Sequence, residues 1–135
     1  MSTVSAVRAA LETALAGMTP TLATAFENLA YVPVAGTPYQ IVNLLCAQPG
    51  NLEIGSGFYE QGIFQVTLCY PKDAGPKAAQ DRAELLRTTF VRAAAFVAGG
   101  VTTTITATPE VTPARIEDDR YCVPVKVRFQ AHVIS

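Results

Sequence analysis

The chain has 135 residues, of which 50% are hydrophobic and 16% are charged, and its formal net charge is −1. This length predicts a single domain over residues 1–135, large enough to bury a core without disulfides or a metal. A charge near zero argues against a protein whose main task is to grip nucleic acid non-specifically. No apolar run reaches the roughly 18–20 residues of a membrane helix, and the N-terminus lacks the pattern of a secretory signal, so no membrane partner is expected.

The first half of the chain is predicted to form one helix and two strands. Apolar residues three or four apart predict a helix over residues 3–17. Residues 21–34 suit a strand, and residues 39–47 are apolar on both faces, as is typical of a strand inside a sheet. Residues 49–62 are rich in glycine and are predicted to be a loop, of a length that often carries function.

The second half begins with the predicted nucleus of the core, a strand over residues 62–71 and a long helix. The helix is expected to start at Pro76 and to end at the glycine pair of residues 99–100. Strands are predicted over residues 101–108 and 121–133, where side chains on alternate sides differ in polarity. The apolar stripe of the helix, which matches the apolar face of the strand, comprises Ala79, Ala83, Leu86, Phe90, Ala94 and Val97.

The order of these elements is helix, three strands, helix and two strands, which predicts an α+β fold. Runs of consecutive strands favour antiparallel pairing, and two amphipathic helices need one apolar surface to cover. We therefore expect a largely antiparallel or mixed five-stranded sheet with both helices packed on one face. The strand–helix–strand segment can add one parallel or crossover pairing.

Candidate catalytic and metal-binding residues do not converge on a recognisable site. His132 is the only histidine and has no nucleophile at motif spacing. Ser56 lies in Gly-Ser-Gly, which lacks the Gly-x-Ser-x-Gly spacing of a nucleophile elbow. Residues 117–119 are acidic, but their side chains alternate along an extended chain and cannot all reach one cation, so they predict a solvated turn. The cysteines have no Cys-x-x-Cys spacing and are expected to be reduced, mostly buried thiols at Cys46, Cys69 and Cys122.

Two sets of residues are candidates for contacts with other molecules. The predicted loop contains four apolar residues without obvious strand partners: Leu52, Ile54, Phe58 and Tyr59. These either fold back over the core as a lid or form an interface in which the two aromatic side chains are the anchors. The polar face of the last strand carries a basic row of Lys126, Arg128 and His132. This row is expected to face solvent or a neighbouring subunit, and DNA is the alternative partner.

One set of residues carries a resemblance to a known family: Gly55, Gly75 and the segments 25–28, 31–33, 36–39, 62–66, 70–71 and 121–125. These segments resemble those of a family of small phage- and prophage-encoded proteins that lie among tail genes. The chain is also similar in size and element order to the tail terminator, or tail completion, proteins. The resemblance covers roughly residues 20 to 132.

The resemblance implies a virion structural protein without an active site or cofactor. Proteins of this kind are similar in forming a ring, usually hexameric, that caps the tail tube, stops its growth and offers the surface on which the head docks. The implied partners are further copies of the chain, the tail tube protein, head–tail connector proteins and, at most, DNA passing through the lumen. The implied location is the virion tail, after assembly in the cytoplasm of the bacterial host.

Two other classes of function remain open at the level of the sequence. A small ligand-binding or enzymatic α+β domain of a prophage would show a deep cleft with convergent polar groups. A DNA-binding accessory protein would show an affinity that falls steeply with salt. A ring subunit would instead show flat flanks and protruding loops.

Overall fold

The computed structural model describes residues 2–51 and 57–133. Its two helices are α1 (Thr3–Ala16) and α2 (Lys77–Thr89). Its strands, in chain order, are β1 (Ala23–Ala25), β2 (Tyr39–Cys46), β3 (Phe58–Pro71), β4 (Ala95–Ala98), β5 (Val101–Ile105), β6 (Glu110–Val111), β7 (Arg115–Glu117) and β8 (Arg120–Val133). Helix α1 begins after Ser2, whose hydroxyl accepts a hydrogen bond from the backbone N–H of Ser5.

The strands form one mixed sheet in the order β1-β2-β3-β8-β5-β4. Strands β1 and β2 are parallel, and all the other pairs are antiparallel. Strands β3 and β8 pair along their whole length, from Phe58 opposite Val133 to Pro71 opposite Arg120. The other edge of β8 pairs with β5, β6 and β7 at successive positions. The β3–β8 ladder is therefore the backbone of the sheet.

The core lies between one face of this sheet and the two helices. Cross-strand register stacks Val42 on Val66 and Val66 on Val125, and it places Phe64 beside Val127. These side chains are buried, and the buried residues of both helices belong to the same cluster. The α+β class, the two helices and the mixed sheet are thus confirmed. The sheet has eight strands where five were expected, and the order of elements differs accordingly.

The predicted helix to Gly99 is wrong beyond Thr89. Ala93 has a φ of 76°, which no helical residue adopts, and the chain then returns as β4. Gly99 and Gly100, expected to end the helix, both have positive φ and connect β4 to β5 as a two-residue hairpin turn. The apolar residues after Phe90 fit a helical spacing and a short strand equally well, so their periodicity was misleading.

The predicted loop of residues 49–62 is also too long, because β3 begins at Phe58. Gly62 lies inside β3, opposite Cys46. A Cβ atom at this position would lie 2.2 Å from the carbonyl oxygen of Leu45, so the close approach of the β2 backbone requires glycine here. The glycine that suggested a loop is therefore a packing residue within a strand.

Two further strand predictions need correction. Of residues 21–34, only Ala23–Ala25 pair as a strand, and Asn28 has a φ of 58° that breaks an extended chain. The strand predicted to reach residue 108 ends at Ile105. Two short strands that were not predicted, β6 and β7, follow before β8.

Candidate functional site

The face of the sheet opposite the helices is the first candidate for a contact surface. We call it the outer face. Its residues at the end of β2 and along the paired strands β3 and β8 are Leu45, Tyr59, Gln61, Ile63, Gln65, Lys126, Arg128, Gln130 and His132. Each of these side chains is half-buried or exposed. The outer face mixes amides, two apolar side chains and three basic ones, a composition suited to a polar protein contact.

The basic row on the outer face carries less free charge than its sequence indicates. Arg128 forms an ion pair with Glu110 on β6, with 2.9 Å between Nη1 and Oε1. Glu110 also lies directly opposite Lys126 in the β6–β8 pairing. One carboxylate thus accompanies two cations, which leaves the surface only mildly basic and makes it a poor match for a dense row of phosphates.

Alternation along β3 separates two of the residues that were grouped as interface anchors. Phe58 and Tyr59 are neighbours in a strand, so their side chains point to opposite faces of the sheet. The expectation that they have no strand partners is wrong, because they lie opposite Val133 and His132. The structure brings Tyr59 onto the same face as Lys126 and Arg128, and it places Phe58 on the other.

Tyr59 also holds the start of the loop before β3. Its backbone N–H and carbonyl exchange hydrogen bonds with Gly50 at 2.8 and 3.0 Å. Its ring fills the space where a side chain at Gly50 would lie, and it is tilted against the ring of His132 with 5.9 Å between centroids. Leu52 and Ile54, the other two proposed interface residues of this loop, lie outside the described residues, as does Ser56.

A second candidate surface, which the sequence did not indicate, is the segment of residues 26–38. It contains three strongly exposed apolar side chains, Leu29 at 67%, Val32 at 84% and Val34 at 61%. Its residues were predicted to be largely strand, where every second one would be buried. Exposed apolar side chains grouped in one segment are a feature of contact surfaces.

Glu27 attaches the start of this segment to the sheet. Strand β1 pairs only with residues 39–41 of β2. From residue 42 onward, β1 therefore does not cover this edge of β2. The Glu27 carboxylate accepts a hydrogen bond from the backbone N–H of Leu44 on that edge, and it lies 3.4 Å from Arg8 of α1. The hydrogen bond from Leu44 is the main reason why the pKa of Glu27 lies below its usual value of 4.5, and the nearby Arg8 lowers it further. A carboxylate in this position also covers an edge that could otherwise pair with another strand.

Replacing Glu27 with alanine is expected to lower the free energy of unfolding by about 1–2 kcal/mol at pH 7, because the Leu44 N–H loses its partner. Glu27→Gln is the matched control, since its amide oxygen can still accept that bond. A carboxyl group whose pKa is lowered by folding stabilises the protein above its unfolded pKa, and this contribution is lost as the pH falls through the folded pKa. The advantage of the wild type over Glu27→Gln, measured by urea denaturation, should therefore shrink as the pH falls below about 4.5. An advantage that persists unchanged into acid would contradict this assignment.

Arg120 attaches the end of the segment. Its guanidinium group is buried and donates hydrogen bonds to the carbonyl oxygens of Thr37, at 2.5 Å, and Val34, at 2.7 Å. Its Cζ atom also lies 5.1 Å from the centroid of the Tyr39 ring. The planar guanidinium can satisfy two carbonyl groups at once, so a single residue of β8 holds a turn that is distant in sequence.

The groove at the end of α1 does not have the chemistry of an active site. It has a volume of about 470 Å³ and lies between the end of α1, Thr89 and β4. Its lining contains four alanines together with Met18, Phe96 and Val97, and it includes no titratable side chain. An apolar groove of this kind provides neither an acid nor a base for catalysis.

A smaller cleft beside Arg120 is more polar. It has a volume of about 330 Å³ and is lined by Pro33, Ala35, Tyr39, Cys122, Arg120 and the acidic residues 117–119. The acidic residues are exposed in the β7–β8 turn, as predicted. Within the described parts of the chain, no three histidine, cysteine or acidic side chains are grouped to hold a metal ion.

The Cys69 thiol, which lies against Cys122 of this cleft, is not activated as a nucleophile. Burial raises the pKa of Cys69 to about 12, and burial likewise raises the pKa of Tyr39 to about 12. A nucleophilic cysteine needs the opposite shift, because the thiolate is the reactive form. Cys69 and Cys122 are buried as predicted, whereas Cys46 is exposed near the end of β2. His132, expected at the surface or an interface, is exposed on the outer face.

Comparison with known proteins identifies the family. In the residues that the structure describes, no helix is long and apolar enough to cross a membrane. No curated protein sequence matches the chain. A solved structure aligns with a TM-score of 0.78 over 96% of this chain and 95% of its own, at 22% sequence identity, and shares the fold. Residues 6–129 match the family model of phage tail terminator proteins, which are structural components of the virion tail rather than enzymes. Because this match spans most of the sequence, the chain belongs to the phage tail terminator family.

Proposed function

We propose that the protein assembles as a ring, a hexamer in the completed tail, that caps the tail tube and stops its growth. The same ring provides the surface on which the head docks, so its partners are the tail tube protein and the head–tail connector proteins. Assembly takes place in the cytoplasm of the bacterial host. The observation that carries the proposal is the match to the tail terminator family over residues 6–129.

The two ends of the sheet support a ring. A cyclic assembly uses two different patches on each subunit, one on each flank. The sheet ends in β1 on one side and β4 on the other, and these ends differ in character. Strand β4 is apolar and exposes Val97, while the β1 side presents the edge of β2 with Glu27 and the exposed Leu45. Two unlike flanks of one sheet are compatible with head-to-tail contacts between copies.

The interface residues proposed from the sequence divide into two groups. Tyr59, Lys126 and Arg128 lie on the outer face, and we propose that they contact a neighbouring subunit or the tail tube. Leu52 and Ile54, which precede β3 in the sequence, are proposed to enter the same contact. Phe58 points away from the outer face, so any interface contact it makes involves a different surface.

The charge of the outer face is also compatible with a lumen through which DNA passes. Tight phosphate contacts would arrest a moving duplex, because each one releases counterions and adds affinity. Here Glu110 accompanies Lys126 and Arg128, which limits such contacts. A face of this kind, if directed to the lumen, would meet DNA without holding it.

The experiment that tests the proposal is complementation of a phage in which this gene has been deleted. Without the protein, tails should be longer than normal and headless in electron micrographs, and supplying the wild-type chain should restore normal, head-bearing particles. Tails of normal length in the deletion strain would contradict the terminator function.

The loop is tested separately by replacing residues 51–57 with a Gly-Ser segment of the same length, which leaves β3 intact. The variant should fold with unchanged circular dichroism but give long, headless tails, because it lacks Leu52 and Ile54. The matched control carries a Gly-Ser segment only at residues 72–75, the exposed turn between β3 and α2. It should restore normal, head-bearing tails to the deletion phage. Normal tails from a folded loop variant would exclude the loop from the interface and leave the terminator function untouched.

A further inference from the structure

Two cysteines lie directly opposite each other in the central ladder. Cys69 of β3 pairs in register with Cys122 of β8, and their sulfur atoms are 3.2 Å apart. Both side chains are buried and both thiols are free. Directly opposed residues of antiparallel strands have Cα atoms about 4.5–5.5 Å apart, and this separation lies within the range of about 4.4–6.8 Å that a disulfide spans.

We propose that Cys69 and Cys122 form an oxidation site, in which a hydroperoxide converts the two thiols into a cross-strand disulfide. This inference rests on the pairing of the two residues and is independent of the proposed assembly. Cys46 is excluded as a partner because it lies near the end of β2 opposite Gly62, at the other end of the β2–β3 ladder from Cys69.

The cleft beside Arg120 determines which sulfur reacts first. Cys122 lines this cleft, and Cys69 is not among its lining residues. Of the pair, only Cys122 therefore borders a route for hydrogen peroxide, and its thiol is the one oxidised to a sulfenic acid, while the second oxygen of the peroxide leaves as water. The Cys69 sulfur then attacks the Cys122 sulfur. The sulfenic hydroxyl takes up the Cys69 proton and leaves as a second water molecule.

The second step is expected to be slow at neutral pH and faster in alkali. Burial raises the pKa of Cys69 to about 12, so little of it is thiolate near pH 7. Thiolate is the attacking species in such exchanges. The pair should thus stay reduced in a cytosol that keeps thiols reduced and should oxidise after prolonged exposure to an oxidising medium.

The bond would join the two longest strands of the sheet covalently. It would close a loop between residues 53 positions apart in sequence. A cross-link across such a loop lowers the conformational entropy of the unfolded chain and so raises the stability of the folded one. The midpoint of thermal unfolding is expected to rise by roughly 5–10 °C and to return after reduction.

The test uses the full chain with Cys46→Ser, which removes the exposed thiol. The protein is incubated with hydrogen peroxide at alkaline pH, and non-reduced peptides are mapped by mass spectrometry. We expect a peptide pair that links Cys69 to Cys122, loss of both titratable thiols and the increase in unfolding temperature, all reversed by dithiothreitol. The matched control carries Cys69→Ala in addition and should give oxidised Cys122 with neither a cross-link nor an increase.

Three results would overturn the proposal. The first is oxidation of both thiols to sulfinic acids without a cross-linked peptide. The second is a cross-link that forms only after the protein has been unfolded in guanidinium chloride. The third is a cross-link in the folded protein that lowers the unfolding temperature, which would show that the sheet does not hold the two sulfur atoms in a bonding geometry.

Discussion

Phe90→Ala is expected to lower the free energy of unfolding by about 3–5 kcal/mol, the range for removing a buried aromatic side chain. Phe90 has no exposed surface. Its ring centroid lies 6.0 Å from that of Phe64 in β3 and 5.6 Å from that of Phe96 in β4. Removing the ring therefore leaves a cavity where the end of α2, the centre of the sheet and its β4 edge meet. Urea denaturation followed by circular dichroism measures the loss.

Two other variants make this result interpretable. Leu29→Ala removes an apolar side chain that is 67% exposed, and it should change stability by no more than about 0.5 kcal/mol. Phe90→Leu keeps part of the volume and should lose less than alanine, so it remains measurable even where the alanine variant does not fold. A loss below about 1 kcal/mol for Phe90→Ala would mean that the residue does not link these three elements.

Arg120→Ala is expected to lower the free energy of unfolding by about 3 kcal/mol. The buried guanidinium makes two short hydrogen bonds to the carbonyl groups of Val34 and Thr37, and hydrogen bonds to charged groups contribute about 1.5–3 kcal/mol each. The estimate is near the lower end of their sum because residues 33–37 are exposed, and water can reach the freed carbonyl groups. Urea denaturation gives the total, and limited proteolysis at Tyr31 reports whether the 26–38 segment has become accessible.

Arg120→Lys separates the charge from the geometry of the group. Lysine keeps the positive charge but has no planar fork with which to reach both carbonyl groups. It should recover only part of the loss and leave the segment more open to protease than in the wild type. Stability and protection equal to the wild type in the lysine variant would show that charge alone holds the segment, and a loss below about 1 kcal/mol in the alanine variant would contradict the anchoring role.

The central ladder could be predicted from the sequence because its pattern has a single period. Residues 125–132 alternate between apolar and polar side chains, and every apolar position from Val125 to Ala131 is buried on the helix side. The same holds for Phe64, Val66 and Leu68 in β3. A period of two over many residues is incompatible with a helix, so both the element type and its buried face follow from local sequence.

Where two periods fit the same residues, the sequence did not decide between helix and strand. Phe90, Ala94 and Val97 continue a helical stripe, yet the chain turns at Ala93 and forms β4. The hairpin prevails because β4 pairs with β5 and places the half-buried Phe96 against Phe90. That gain depends on a strand that follows in the sequence and on a ring from the preceding helix end, and neither can be read from a local window.

The candidate contact surface was predicted only in part. Lys126 and Arg128 share a strand, so their common face follows from alternation. Their proximity to Tyr59 depends on the register between β3 and β8, which joins residues far apart in the chain. The exposed side chains of the 26–38 segment were missed because their position depends on Glu27 and Arg120, whose partners are backbone groups of distant residues.

The sequence by itself determined the α+β class, the presence of helix α1, the buried faces of the long strands, and a resemblance to phage tail proteins that the family match confirms. Only the tertiary structure decided where α2 ends, that β3 begins at Phe58 and that Cys69 lies against Cys122. The physical reason is the range of the interactions. Side-chain periodicity acts within a few residues, whereas register, close backbone approach at Gly62 and hydrogen bonds such as those of Arg120 form only when distant segments meet.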